Sequence, residues 1–150
     1  MAIDTTILSE LRGSVEEMQK SVFDSLRESI ENNKDILITQ QTEKQMYQGL
    51  TSLGTSISPD YKQSTRDRKK RKGQPYDRVT LRDTGDFYAS IDIEAKDTEF
   101  IIKTPISYSI YLVKKYDDIF GIIEEFMSQF LTTYTLPLLK QNIDDIIART

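Results

Sequence analysis

The sequence contains no cysteine and no histidine, which removes disulfides, thiol nucleophiles, imidazole bases and the usual zinc ligands in one step. It also lacks a phosphate-binding glycine loop, a glycine-framed nucleophile elbow and a Ser-x-x-Lys pair, so its many serines have no recognisable activating base. No run approaches the roughly 20 apolar residues that a membrane-spanning helix needs. Residues 1–13 already mix Asp4, Glu10 and Arg12 with apolar side chains, unlike a signal peptide. Internal repeats and low-complexity tracts are absent too. These absences predict a chain without cofactor, metal or membrane partner.

What is present is 150 residues, enough for one domain with one core, and a net charge of -4. The average conceals an asymmetry: residues 62–72 carry seven lysines and arginines against Asp67, six net positive charges, so the rest of the chain sums to -10. Between Lys62 and Gln74 there is no apolar residue to offset ordering entropy, which predicts a mobile basic loop over 62–76. Arg66, Arg68, Lys69, Lys70, Arg71 and Lys72 are its candidate contacts with DNA phosphates or an acidic neighbour. No recognition-helix or aromatic-platform pattern accompanies them, so base-specific readout is not expected.

The periodicity predicts an α+β domain. Asp4 is placed to cap a helix over about 5–32, with Leu8, Leu11, Val15, Met18, Val22, Leu26 and Ile30 on one face. A strict seven-residue repeat would turn Ser25 inward; Leu26 takes that place, so the stripe reads as core packing, with inter-subunit packing as the alternative. A second helix is expected over Asp35–Met46, ended by Gly49 and Gly54. Alternation at Ile91, Ile93 and Ala95, a turn at Asp97-Thr98 and a return through Phe100-Ile101-Ile102 predict a hairpin. Ser107–Val113 alternates again and reads as a further strand of a small antiparallel sheet over about 77–114. A last helix is expected from about Ile119, kinked or broken at Pro137 and continuing to Ile147. The broad apolar arc of Phe126, Phe130 and Tyr134 and the second face of the Ser107–Val113 strand at Tyr111 and Val113 are the candidate oligomer interfaces.

The remaining elements are organised around a tight corner that joins two buried pieces of chain, Val79-Thr80-Leu81-Arg82-Asp83-Thr84-Gly85-Asp86-Phe87-Tyr88-Ala89-Ser90-Ile91, where Asp83 or Thr84 is placed to cap a single helical turn through Ser90. Leu81 to Ile91 resembles the "Leu, acidic or polar residue, Thr-Gly, aromatic or Leu, Ser-Ile" segment of phage virion-morphogenesis and tail-completion proteins, the neck or head-tail connector family. Gln45–Leu50 followed by Gly54, Ile57, Pro59 and Tyr61 is similar to that family's approach to a basic linker. Ser107–Tyr111 and Lys115–Gly121 resemble its later strand and turn, so that the likeness covers roughly residues 40–125. Gly121–Phe126 replaces the Pro-small-Arg-Pro-Phe segment that often opens the family's last helix. The resemblance implies a non-enzymatic virion protein at the head-tail junction, assembling as a homo-oligomeric ring on portal, connector or tail proteins, with non-specific DNA contact through the basic loop.

Two other functions remain as alternatives. A DNA-binding accessory protein would use the same basic residues without particle assembly. A Mg²⁺-dependent nuclease would use Glu94-Ala95-Lys96, an acidic-x-Lys element, with Asp83, Asp86 and Asp92 upstream; an exposed strand face alternating Asp, Glu and Lys has the same appearance.

Overall fold

A computed structural model describes residues 5–96 and 98–149; the cap assigned to Asp4 and the turn residue Asp97 lie outside them. The architecture is α+β, with a long N-terminal helix, a long C-terminal helix and one small antiparallel sheet. Helix α1 spans Thr5–Asn32 and α2 spans Lys34–Thr39, running on as a π-helical segment, Gln40–Met46. Helix α3 (Gln63–Arg71) and the single turn α4 (Asp86–Ser90) precede the strands β1 (Asp92–Ala95) and β2 (Phe100–Lys103). Helix α5 (Ser109–Lys115), helix α6 (Glu124–Phe130), a π-helical segment (Leu131–Thr135) and helix α7 (Leu136–Arg149) complete the chain. Among the described residues no helix is long and apolar enough to cross a membrane.

The chain forms two compact units, where its length predicted one core. One gathers the described residues of Met1–Asn33, Ala95–Phe100 and Ser128–Thr150; the other gathers Lys34–Glu94 and Ile101–Met127. In the first, α1 packs along α7 and the π-helical segment before it. Their seam is small and polar. Ser25 and Ser29 are buried four residues apart, as helical neighbours. Asn142 Nδ2 donates to Ser25 Oγ at 2.8 Å, and Ser29 Oγ lies 2.7 Å from Thr135 Oγ1. Ser29 Oγ also reaches Leu26 O at 2.9 Å, so Thr135 supplies the proton of the pair. Ser25 therefore turns inward and Leu26 is only half-buried, the reverse of the expected phase. Serines suit this seam because they let two helices approach closely and still satisfy each hydroxyl.

The buried residues of α1 lie in its last turns, at Ser25, Ser29 and Ile30, while Val22 and Phe23 just before them are exposed. Arg149, at the end of α7, reaches Glu17 at 3.1 Å, and toward the N-terminus Ile7, Leu8, Leu11 and Val15 are all exposed. The core packing expected of that stripe is thus absent from half of it. The expected interruption at Pro137 takes the form of the π-helical segment Leu131–Thr135, where the Leu136 N–H bonds back to Leu131 O, five residues away. Widening the turn ahead of a proline relieves the clash of its ring with the preceding carbonyls.

In the second unit the core has two joined clusters. Met46, Phe87, Tyr88 and Ile91 form one, and Ile57, Val79, Tyr116 and Ile119 the other; Leu81, Leu112 and Phe120 pack against both. The hairpin forms as expected, with Ile93 fully buried between exposed Asp92 and Glu94; its end, where Lys96 N donates to Glu99 O at 2.7 Å, is counted with the first unit. The sheet ends there. The strand expected over Ser107–Val113 is helix α5, since Thr104 Oγ1 accepts from Ile106 N and turns the chain after β2. Leu112 and Tyr116, one helical turn apart, then face the core. The last helix begins at Glu124 and not near Ile119, because residues 119–123 are held as loop by two buried glutamines. Gln41 Nε2 donates to Ile119 O and its Oε1 accepts from Gly121 N, both at 2.8 Å. Gln45 Nε2 donates to Gly121 O at 2.7 Å and its Oε1 accepts from Ile123 N at 3.0 Å.

Candidate functional site

The corner does form, and two tyrosines fix it. Tyr61 Oη accepts from Thr80 N at 3.1 Å and Leu81 N at 3.0 Å, while the Tyr88 hydroxyl donates to Thr80 O. Burial raises the Tyr88 phenol well above the ordinary tyrosine range, and the Glu43 carboxylate adds to the shift. Between these bonds Leu81 adopts φ 56°, a left-handed conformation that costs a residue with a Cβ about 1–2 kcal/mol. The shared Tyr61 oxygen offsets that cost. The single turn α4 forms, but neither Thr84 nor Asp83 caps it as expected: Gly85, left-handed at φ 94°, stands at its N-cap with no side-chain cap bond. Thr84 Oγ1 instead accepts from Asp86 N at 3.3 Å and donates to Asp86 Oδ2 at 2.8 Å, a turn just ahead of the helix.

The basic segment lies against this corner, as a helix instead of a loop. Lys69 is 4 % exposed, with its Nζ donating to Arg82 O at 2.7 Å and lying 5.1 Å from the centre of the Tyr61 ring. A long aliphatic stem lets lysine serve as the apolar residue that the segment lacks. Lys72 Nζ meets Asp83 Oδ1 at 3.0 Å and holds that carboxyl below the usual aspartate range. Gln74 Nε2 donates to Asp83 O at 2.9 Å, so the end of α3 is tied to the corner at two points.

Of the six expected polyanion contacts, Lys69 is therefore an internal anchor, Lys72 is paired, and Arg66 is half-buried beside Asp60 at 3.7 Å. Arg68, Lys70 and Arg71 remain exposed, Lys70 over the Tyr76 ring at 5.8 Å. Where α3 meets the corner a cleft of about 450 Å³ opens. Helix α3 supplies Arg68 and Lys69, the corner Arg82 and Phe87, and the segment around α5 supplies Tyr108 and Leu112. Phe87 packs at about 6 Å from both Tyr108 and Phe120, so the cleft's lining includes aromatic rings, Phe87 and Tyr108, as well as cations.

The candidate interfaces divide. Tyr111 is 73 % exposed and Val113 47 %, and with Ile110 they form an apolar outer face on α5. Phe130 is 1 % exposed, its ring 5.0 Å from that of Tyr134, so it belongs to the core of its own unit and not to an interface. Tyr134 is half-buried beside it, and Phe126 is half-buried at a groove with Ile36 and Gln40. Sequence reasoning put the whole α1 stripe in the core first, with inter-subunit packing only as the alternative, where the structure leaves Ile7, Leu8, Leu11 and Val15 exposed; it missed Tyr61 and the glutamines as organising groups. The Leu37-Gln41-Gln45 spacing, which places amides in line with a buried leucine, was the available signal.

The acidic residues of the nuclease alternative are dispersed among other partners. Glu94 pairs with Lys103 at 2.9 Å, Asp92 accepts from Ile93 N at 2.8 Å, and Asp83 and Asp86 are engaged as above. Among the described residues no group of three or more acidic side chains is placed to hold a metal ion. Compared with protein-family models, curated proteins and solved structures, the chain matches none.

Proposed function

We propose that this chain is a non-enzymatic structural subunit of a homo-oligomeric assembly, a virion protein at the phage head-tail junction of the tail-completion, neck or connector type. The observation that carries the assembly part is the outer face of α5, where Ile110, Tyr111 and Val113 are 60 %, 73 % and 47 % exposed. Clustered large apolar side chains on a surface mark contact sites. A second such surface lies on α1 at Ile7, Leu8, Leu11 and Val15, in the other unit. Two dissimilar sticky surfaces on one subunit are what a closed ring requires, because each interface joins different patches of neighbouring copies. The placement at a head-tail junction rests on the corner Leu81–Ile91, and portal, connector or tail proteins are the partners it implies.

The test is a peptide census of density-purified phage particles from the source culture. The expected result is this chain at a fixed ratio of roughly six to twelve copies per particle, the scale of a cyclic ring; absence from particles while the soluble fraction is rich in it overturns the reading. Arg68, Lys70 and Arg71 favour one further role, non-specific contact with DNA. Replacing all three by Ser then lowers DNA affinity and flattens its dependence on salt concentration, and an unchanged salt slope rejects that contact.

A further inference from the structure

The two bare apolar faces of the chain differ in shape and in charge. On α5, Leu112 and Tyr116 turn to the core, so the opposite face carries Ile110 and Tyr111 together with exposed Lys114. Lys114 stands four residues after Ile110 and three after Tyr111, which makes the three surface neighbours. Lys115 follows Tyr111 in the same way, and α5 contains no acidic residue. On α1, Ile7, Leu11 and Val15 succeed one another at four-residue steps and form a single ridge, each of them more than half exposed. Leu8 widens the ridge on one side, with Arg12 one turn further along that flank; Glu10, three residues after Ile7, borders the other side and is exposed. The lengths agree as well. Ile7 to Val15 rises about 12 Å and Ser109 to Lys115 about 9 Å, close to two turns each.

We infer that the occupant of the α5 face is α1 of a second copy: the Ile7-Leu11-Val15 ridge lies in the groove between the Ile110-Lys114 and Tyr111-Lys115 rows, and Glu10 pairs with Lys114. Rows of four-residue steps on both helices give the commonest helix packing, with axes crossing at about -50°. A second copy fits because this one sequence supplies both halves of the match, ridge to groove, length to length and carboxylate to ammonium. The α5 face does not complement itself, since laying it on its own copy sets Lys114 against Lys114, like charge on like. The contact is therefore heterologous, the kind that closes a ring. Two short helices bury no more than the roughly 1,000 Å² at which a specific interface begins, so the contact holds firmly where ring closure secures each copy on both sides. The inference rests on the self-assembly part of the proposed function, whose two surfaces it joins, and not on the head-tail placement.

The chain has no cysteine, so introduced thiols report contacts without background. The experiment mixes full-length Leu11→Cys and Tyr111→Cys, both at exposed positions, with a short bismaleimide and identifies the linked peptides by mass spectrometry. The expected result is a mixed link between positions 11 and 111 about tenfold above the level of random encounter, which the two like links in the same mixture define. Adding Lys114→Glu to the Tyr111→Cys chain is expected to lower that excess several-fold, and adding Glu10→Lys to the Leu11→Cys chain to restore it. Both positions are exposed, so the exchange leaves the fold in place. A random distribution of links overturns the inference and leaves both faces to a different protein. An excess of links between two copies of position 11 overturns it in favour of α1 pairing with itself, and a mixed link indifferent to the charge exchange overturns the register set by Glu10 and Lys114. The particle census is a separate matter: random links in a chain present in particles at a ring's ratio refute this contact alone, while the mixed link in a chain absent from particles supports the contact as the head-tail placement fails.

Discussion

Replacing Gln41 by Leu removes one arm of the clasp that holds residues 119–123 and leaves its shape nearly unchanged. The amide is fully buried, and its two bonds, to Ile119 O and from Gly121 N, are both 2.8 Å long. Without it those backbone groups lose their partners, at about 1–3 kcal/mol each. The leucine returns part of this, about 2 kcal/mol of apolar transfer. The net expectation is a loss of about 2 kcal/mol in urea-unfolding free energy, or roughly 4–8 °C in melting temperature for a chain of this size, read by far-UV circular dichroism with the denaturant slope unchanged. Gln48→Leu is the control, because its amide is exposed and its contact with Glu43 O is 3.4 Å long; it is expected to stay within about 0.5 kcal/mol. Gln45→Leu adds less in the double variant than alone, since both glutamines hold Gly121, one by its N–H and the other by its C=O. A Gln41→Leu protein as stable as the parent refutes the claim that these amides, and not apolar packing, keep the loop from joining the last helix.

Two glycines carry opposite expectations. Gly121 has φ 134°, and a Cβ there would lie 2.7 Å from Ser52 Cβ, so Gly121→Ala is expected to destabilise the chain by about 2 kcal/mol or more; Gly13 sits inside α1 with nothing near, and Gly13→Ala is expected to stabilise by about 0.5–1 kcal/mol. Paired thermal melts check both, and equal effects would contradict the assigned backbone. The Tyr88 phenol is raised in the folded chain, so its contribution is full below the ordinary tyrosine value of about 10 and is lost as pH rises above it. Tyr88→Phe is expected to cost about 1–2 kcal/mol near neutrality by stranding buried Thr80 O, and to lose stability less steeply in strong alkali; unfolding curves at pH 8 and above that differ from the parent by a constant offset would refute the titration.

What the sequence displayed and what it hid follow one physical distinction. Elements with a strong apolar period were legible as elements: α1 stands over Thr5–Asn32, close to where its period put it, and the hairpin forms with Ile93 inward. Elements whose burial depends on polar atoms were not. Nothing in an apolar count distinguishes Lys69 from its exposed neighbours, because its burial requires a tyrosine ring eight residues earlier and a carbonyl turned toward it by Leu81, thirteen and twelve positions from Arg82 and Leu81 respectively. Ser25 and Leu26 illustrate the same point: hydrophobicity chose Leu26, and the hydrogen bond from Asn142, 117 residues away, decided for Ser25. Tyr111 and Val113 were read as an outward face on the wrong element: the alternation that placed them on the second side of a strand spans only seven residues, too few to outweigh the turn at Thr104, and in helix α5 both residues are exposed all the same. The corner was legible for a third reason: Asp83-Thr84-Gly85 is local chemistry, and a turn acts within a few residues of itself, although the cap expected of Thr84 or Asp83 is replaced by a left-handed Gly85. The cleft beside it is lined by that corner together with residues of α3 and of the segment around α5, far apart in sequence, so its cations and aromatic rings come together only when the chain is folded.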